Sequence, residues 1–243
     1  MLIIMELDLY LIVSLAIFFG FFVQTVVGFA GSLIALPILL ISVALPDAIA
    51  YISIFYIFSS VFLINKEWNN IDFSILSKLA FPTIIGVVLG ILVLAFTNPV
   101  ILKIGLGIFI ILYVIYVSLI KADFQVGRKL VAILGILGGF FSGVFSTGGP
   151  LYVVSVKNMA IDIKTFRATM IGIMGLITLV RIPMLSISGI LTFDHWKIAL
   201  IIFPVFLLAQ YIGKVVYSKI DEFYFKKVLL VLLFFSGMVL IIN

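Results

Sequence analysis

The sequence predicts an all-α polytopic membrane protein made of two inverted repeats of about five membrane segments each. Three observations carry that expectation. First, the 243-residue chain is 65% hydrophobic and only 10% charged, where a soluble domain carries about 25% charged residues. Too little polar surface remains to cover a soluble particle, so the bulk must face lipid. Second, residues 18–34 (FFGFFVQTVVGFAGSLI) and 136–152 (ILGGFFSGVFSTGGPLY) match at an offset of 118 positions. Gly20 meets Gly138, Phe22 meets Phe140, Val26 meets Val144, Gly31 meets Gly149 and Leu33 meets Leu151. Each stretch is an apolar helical run that is broken by small and polar residues and then resumes. Third, the basic residues fall mostly on one side of the membrane, and that asymmetry fixes the number of crossings.

The chain begins MLIIMELDLY, with Glu6 and Asp8 and no basic residue before the first apolar run. A signal peptide needs a basic start and a small-residue cleavage site, so the first run is expected to be a retained span. Apolar runs follow at roughly 9–27, 30–45, 48–64, 74–96, 100–120, 129–146, 149–157, 165–190, 196–217 and 222–242. Residues 9–45 as one helix would reach about 55 Å at about 1.5 Å per residue. The hydrocarbon core is only ~30 Å thick. The regions 9–45 and 129–157 are therefore expected to be broken or re-entrant, either as two short passes or as a hairpin dipping in from one face.

With five crossings per half, one side receives Lys66, Lys78, Lys121, Arg128, Lys129, Lys157, Lys164, Arg167, Lys214, Lys219, Lys226 and Lys227. The other side receives Lys103, Arg181 and Lys197, and neither terminus adds a basic residue. If each broken region counted as a single pass, the two sides would receive seven and eight. The positive-inside rule selects the first arrangement. It puts both termini outside a plasma or inner cell membrane. It also puts a cytoplasmic linker, 121–128, between a first repeat, 1–120, and a second, 129–243.

The match runs on through Ala50 and Ala168, Ser60 and Thr178, Phe73 and Phe193, Pro82 and Pro204, and Lys103 and Lys226, its offset drifting from 118 to 123. An odd number of crossings per copy turns the second copy upside down. Inverted repeats with paired broken segments are a common plan of secondary transporters, and the breaks mark the binding site.

The breaks carry the candidate site residues. In the first half these are Gln24, Gly28, Gly31 and Ser32; in the second, Ser146, Thr147, Gly148, Gly149 and Pro150. Pro150 has no N–H and suits the first turn of a new helix. The helix starting there would point free N–H groups back at the break, and such N-termini attract anions. The rival reading is tight helix packing through small residues. Arg181 adds a cation 16 residues into the run 165–190. A charge at that depth is costly and so marks function, and its fork suits a carboxylate or sulfonate. The alternative is that it snorkels to the outer interface beside Pro183. Arg167, nearer the basic side, reads as a topology charge.

Every Asp and Glu falls at or near a segment end. A buried carboxylate proton relay therefore has no candidate, and cationic substrates are disfavoured. Gln210 on a span is suited to hydrogen bonding, while Trp68 and Trp196 suit interface anchors. Pro82 and Pro204 would kink equivalent helices.

With no cysteine and one histidine, His195, thiolate chemistry and a histidine metal cluster are excluded. No metal or other cofactor is expected. No Walker loop, HExxH or Gly-x-Ser-x-Gly elbow occurs, so no enzyme is expected. His195 beside Asp194 reads as a loop or cap. The net charge of +5 comes from basic loops, so no nucleic acid is expected as a partner.

On GFFVQTVVGFAGSLIALP, GGFFSGVFSTGGPLYVV and the small-residue helix starts AIAYIS and FRATMI, the chain resembles the TauE/SafE sulfite exporter family, also called toluene sulfonate uptake permeases. The resemblance covers nearly the whole chain. It maps the family's Gly-rich stretch and following proline onto Gly28, Gly31 and Pro37, and onto Gly148, Gly149 and Pro150. The stretch GFAGS is poorer in glycine than the family's cluster. The resemblance implies export of small sulfur-containing or carboxylate anions such as sulfite, sulfonates or sulfoacetate. The expected partners are that anion and the lipid bilayer, with room for a homodimer and for a coupling ion, H+ or Na+. An anion channel on the same scaffold is the alternative.

Overall fold

The computed structural model describes residues 2–27, 30–119, 127–157, 159 and 161–217, together with 230, 231, 234, 237, 238 and 241. Gly28, linker positions 121–126 and most of the last expected run, 222–242, lie outside the described residues. Among the described residues the continuous elements are nine α-helices and one short 3-10 turn: α1 (Leu2–Val27), α2 (Gly31–Leu39), α3 (Leu45–Glu67), the turn Trp68–Asn70, α4 (Phe73–Phe96), α5 (Pro99–Leu119), α6 (Arg128–Phe145), α7 (Gly149–Lys157), α8 (Ile163–Ile187) and α9 (Phe193–Tyr217). No strand occurs among the described residues. Five of these helices are long and apolar enough to cross a membrane: Asp8–Val26, Leu45–Asn65, Phe73–Phe96, Lys164–Ile187 and Phe193–Val216.

Local chemistry sets the helix ends. Pro46 sits in the first turn of α3, where its missing N–H costs nothing. Asp72 caps α4 by accepting from the N–H groups of Ser74 (2.8 Å) and Ile75 (3.1 Å). Asp162 caps α8 by accepting from Thr165 N–H at 2.7 Å, and that bond holds its carboxyl below its usual pKa. Pro82 and Pro204 lie inside α4 and α9, which continue through them.

Both broken regions are helical hairpins. In the first, Gly20 of α1 faces Ala35 of α2, and Gly31 faces Gln24, so α2 runs back along α1. In the second, Gly138 of α6 lies under the Tyr152 ring of α7, and Gly148 lies against the Gly138 carbonyl and the Ser142 hydroxyl. The short arms, α2 and α7, are nine residues each. A Cβ added at Gly148 would fall on that carbonyl and hydroxyl, so only glycine fits this close approach.

Packing links the two halves of the chain. Helix α4 lies against α6, α1 against α9, and α3 against α8. At the α4–α6 crossing, a Cβ on Gly86 would come 2.9 Å from Gly139 Cα, and one on Gly90 3.0 Å from Gly143 Cα. The two backbones touch through a small-xxx-small pair on each helix. Between α1, α3 and α9 an aromatic cluster of Phe21, Phe55, Phe58, Phe203 and Phe206 fills the core. Large apolar residues such as Phe81, Phe96, Leu179 and Tyr211 remain exposed, as lipid-facing positions would be.

Candidate functional site

The two breaks meet. Ser32, in the first turn of α2, donates its hydroxyl hydrogen bond to the Ser146 carbonyl at the end of α6. They are 114 positions apart in sequence. Each break ends one helix and starts another. Ser146 is the only non-glycine among the described residues with a positive φ, 58°. That left-handed turn closes α6, with Ser146 N–H donating to the Ser142 carbonyl at 2.9 Å. The strained cap frees the chain to restart at Gly149.

The helix starts leave donors unused. Ala30 precedes α2 with no side-chain cap. Ser32 N–H donates to the Tyr56 hydroxyl at 3.3 Å, while Gly31 N–H has no acceptor among the described residues. In the second half, Leu151 N–H donates back to the Gly148 carbonyl at 3.1 Å. The N–H groups of Gly148 and Gly149 have no acceptor among the described residues, and Pro150 has none to offer. A helix N-terminus with free donors is an anion-attracting end.

Arg181 stands beside both breaks. It is only 2% exposed, so it does not snorkel to an interface. Its Nη1 donates to Ser146 Oγ at 2.7 Å and to the Ser142 carbonyl at 3.0 Å. Its guanidinium lies 5.4 Å from the centre of the Tyr56 ring, a cation–π distance. The Tyr56 hydroxyl in turn donates to Ser32 Oγ at 3.3 Å. Tyr56, Ser32, Ser146, Ser142 and Arg181 thus form one connected cluster. No carboxylate pairs with Arg181 among the described residues. An unneutralised cation at such burial is costly and favours an anionic occupant.

Three buried polar atoms lack a hydrogen-bond partner around these breaks: Arg181 Nε, Thr147 Oγ1 and Gln24 Oε1. Buried polar groups are rarely left unpaired without cause. Gln24 Nε2 donates to Ser59 Oγ at 3.1 Å, and its free oxygen faces Gly31. Gln24, Ser59, Ser60, Leu63, Ile171 and Met174 line a small cavity, with room for about one water.

Arg167 serves a role beyond topology. Its Nη2 donates to the Thr25 carbonyl at 3.0 Å, in the last turn of α1. Arg181 does the same for the last turn of α6. Both arginines come from α8, 14 positions apart in sequence, which is about 21 Å along a helix. Each places a cation at a helix C-terminus, where the dipole favours it. The sequence offered Arg167 only as a basic residue near a segment end, and nothing in its neighbours marks the Thr25 contact. Tyr56 was also missed, although a tyrosine inside an apolar run needs a hydroxyl partner.

The expected residues Gln24, Gly31, Ser32, Ser146, Thr147, Gly148, Gly149, Pro150 and Arg181 all lie at or beside the meeting point of the two hairpins. His195, read as a loop or cap, does cap the start of α9, accepting from Thr192 N–H at 3.1 Å, and it is also buried and 3.2 Å from Asp47 of α3. No group of His, Asp or Glu able to hold a metal occurs among the described residues.

The model of the sulfite exporter TauE/SafE family matches residues 13–240. The chain belongs to the TauE/SafE family. It is therefore an integral membrane protein of a transporter family whose name points to sulfite and related anions. No curated protein and no solved structure is similar enough to this chain to count as a match.

Proposed function

We propose that this TauE/SafE protein is a secondary transporter that exports a small sulfur-containing or carboxylate anion, held between its two hairpins. The observation that carries this reading is the cluster at the meeting of the breaks. Among the described residues, Arg181 is buried without a carboxylate, the N–H groups at both helix starts have no acceptor beyond Ser32 to Tyr56 and Leu151 to Gly148, and Arg181 Nε and Thr147 Oγ1 are unpaired. The anion would accept from Gly31, Gly148 and Gly149 N–H, from Thr147 and from Arg181. Tyr56 and Ser32 would orient the arginine and the first hairpin rather than bear charge.

Two inverted repeats, 1–120 and 129–243, would supply the motion. The pairing of α1 with α9 and of α4 with α6 is the exchange expected of such repeats, since each pair joins the first helix of one copy to the fourth of the other. Rocking one bundle against the other would open the site to either face in turn. In this reading both termini are outside, and an H+ or Na+ ion couples the export.

The test uses proteoliposomes loaded with labelled sulfite, sulfoacetate or taurine. Wild type should show saturable flux, faster when the opposite face also carries the anion. Gly148→Leu and Arg181→Gln should both lose it. Unchanged flux in both variants would overturn the site, and flux with no acceleration by anion on the opposite face would indicate a channel.

A further inference from the structure

The meeting point of the breaks holds a single formal charge among the described residues. Arg181 is buried there, and a guanidinium keeps its proton in a protein. Among the described residues, Tyr56 is the one ionisable side chain that acts on it electrostatically, and a phenol is neutral at physiological pH. Arg181 Nη1 is spent on the Ser142 carbonyl and on Ser146 Oγ, while Nε has no partner. One side of the fork is thus committed to the end of α6, and the Nε side is open to a ligand.

Other sources of positive potential cancel or lie elsewhere. The starts of α2 and α7 are positive helix ends, but the C-termini of α1 and α6 adjoin them. Each break sets a negative helix end beside a positive one, so the two dipoles offset. On α8 itself, Arg167 is engaged with the Thr25 carbonyl and lies about 21 Å from Arg181 along the helix. The other charged residues on helices packed against α8 fall within the first two or last two turns of those helices. They are Asp47, Lys66 and Glu67 on α3, Lys78 on α4, Arg128 and Lys129 on α6, and Lys157 on α7.

Charge matching then limits the occupant. One cation held away from water is neutralised by one negative charge. A second negative charge in the same place would stay unpaired, and an unpaired buried charge costs more than neutral donors return. Sulfite exists in two forms, because the dianion takes up a proton near neutral pH and becomes bisulfite. Monosulfonates carry one charge throughout that range. Thr147 Oγ1, also unpaired, can accept as well as donate, so it can serve an oxygen that keeps its acid proton.

We propose that the site at the breaks selects monoanions: bisulfite rather than sulfite, and a monosulfonate rather than sulfate. This rests on the transporter reading and names the charge of its substrate. It ranks sulfoacetate, which is doubly charged, among the poor ligands. A bisulfite ion also carries its proton across and gives it up to water on release. Sulfite export would therefore move a proton along a path with no carboxylate deep in a span.

Equilibrium binding to the full chain in nanodiscs tests this, with three probes in sulfonate-free buffer: labelled sulfite, methanesulfonate and sulfate. Methanesulfonate and sulfate are close in size and shape and differ by one charge. Methanesulfonate is singly charged at every pH used, so it reads any titration of the protein itself. The apparent affinity for total sulfite should fall as pH rises, by about tenfold per pH unit once the dianion predominates. Methanesulfonate binding should stay level, and sulfate should bind at least about tenfold more weakly. Three results would each overturn the proposal and leave the anion site standing: sulfite bound as well or better at alkaline pH, methanesulfonate affinity falling in parallel with it, or sulfate bound as tightly as methanesulfonate. If none of the three probes binds at any pH, the anion reading itself fails and the proposal with it.

Discussion

The two hairpins share a plan but not a chemistry. In the second, Gly148 packs on the Gly138 carbonyl, Ser146 makes the left-handed turn and Arg181 binds the helix end. In the first, the matching position to Gly148 is Ala30, and the helix end is held by Arg167 through Thr25. A shift of 118 positions carries Arg181 to Leu63, Ser142 to Gln24, Thr178 to Ser60 and Tyr56 to Met174. Gln24, Ser60, Leu63 and Met174 all line the small cavity. So where the second half holds a guanidinium, the first half holds a leucine beside a void. In the proposed repeat these places are equivalent, and only one carries the charge. The proposed site would therefore be asymmetric: the second half, through Arg181 of α8 beside its hairpin, would supply most of the charge recognition, and the first hairpin the surface that closes on it.

The largest expected effect breaks that asymmetry. Arg181→Gln removes two charged hydrogen bonds and the buried cation. At about 1.5–3 kcal/mol for a bond to a charged group, flux should fall by about 100-fold or more, which labelled-anion flux would measure. Arg181→Lys keeps the charge but not the fork, and should fall between the two.

Next comes the close approach at Gly148. Gly148→Ala forces a methyl onto a backbone carbonyl, and overpacking of this kind costs about 1–3 kcal/mol. The thermal midpoint in detergent should drop clearly. Gly31→Ala should cost less, because its Cβ would come 2.7 Å from Gln24 Oε1, 2.9 Å from Gln24 Cβ and 3.1 Å from the Gly20 carbonyl, against 1.9 Å from the Gly138 carbonyl at Gly148. Equal losses at both glycines would refute the difference between the hairpins.

Ser32→Ala cuts the direct link from Ser32 to Ser146 between the breaks. A net loss of about 1 kcal/mol should appear as a several-fold drop in flux with the fold intact by circular dichroism. Arg167→Gln should have the smallest effect of the set. It releases the Thr25 carbonyl but leaves the Arg181 cluster whole, so anion affinity should stay near wild type while the flux rate declines.

Much of this was legible in the sequence. The breaks follow from runs too long for one crossing and from glycines at matched offsets. Arg181 declared itself as a charge deep in an apolar run. Other parts had no local signal. Tyr56 sits in AYISIFYIFSS as one of four aromatics, and only the fold brings Ser32 and Arg181 to it. Near a helix start, Arg167 reads as a topology charge and His195 as a loop or cap, and neither reading names a distant partner. Their partners, Thr25 and Asp47, are 142 and 148 positions away. Periodicity and spacing report what is near in sequence, and these contacts depend on α1 against α8 and α3 against α9.

The central claim is that both hairpins serve one anion site governed by Arg181. Equilibrium binding of labelled sulfite to the purified protein tests it most directly, comparing wild type with Arg181→Gln. The account predicts one saturable site per chain, weakened at least about tenfold in the variant, a loss of about 1.4 kcal/mol. Equal affinity in both proteins, or two independent sites per chain, would contradict it.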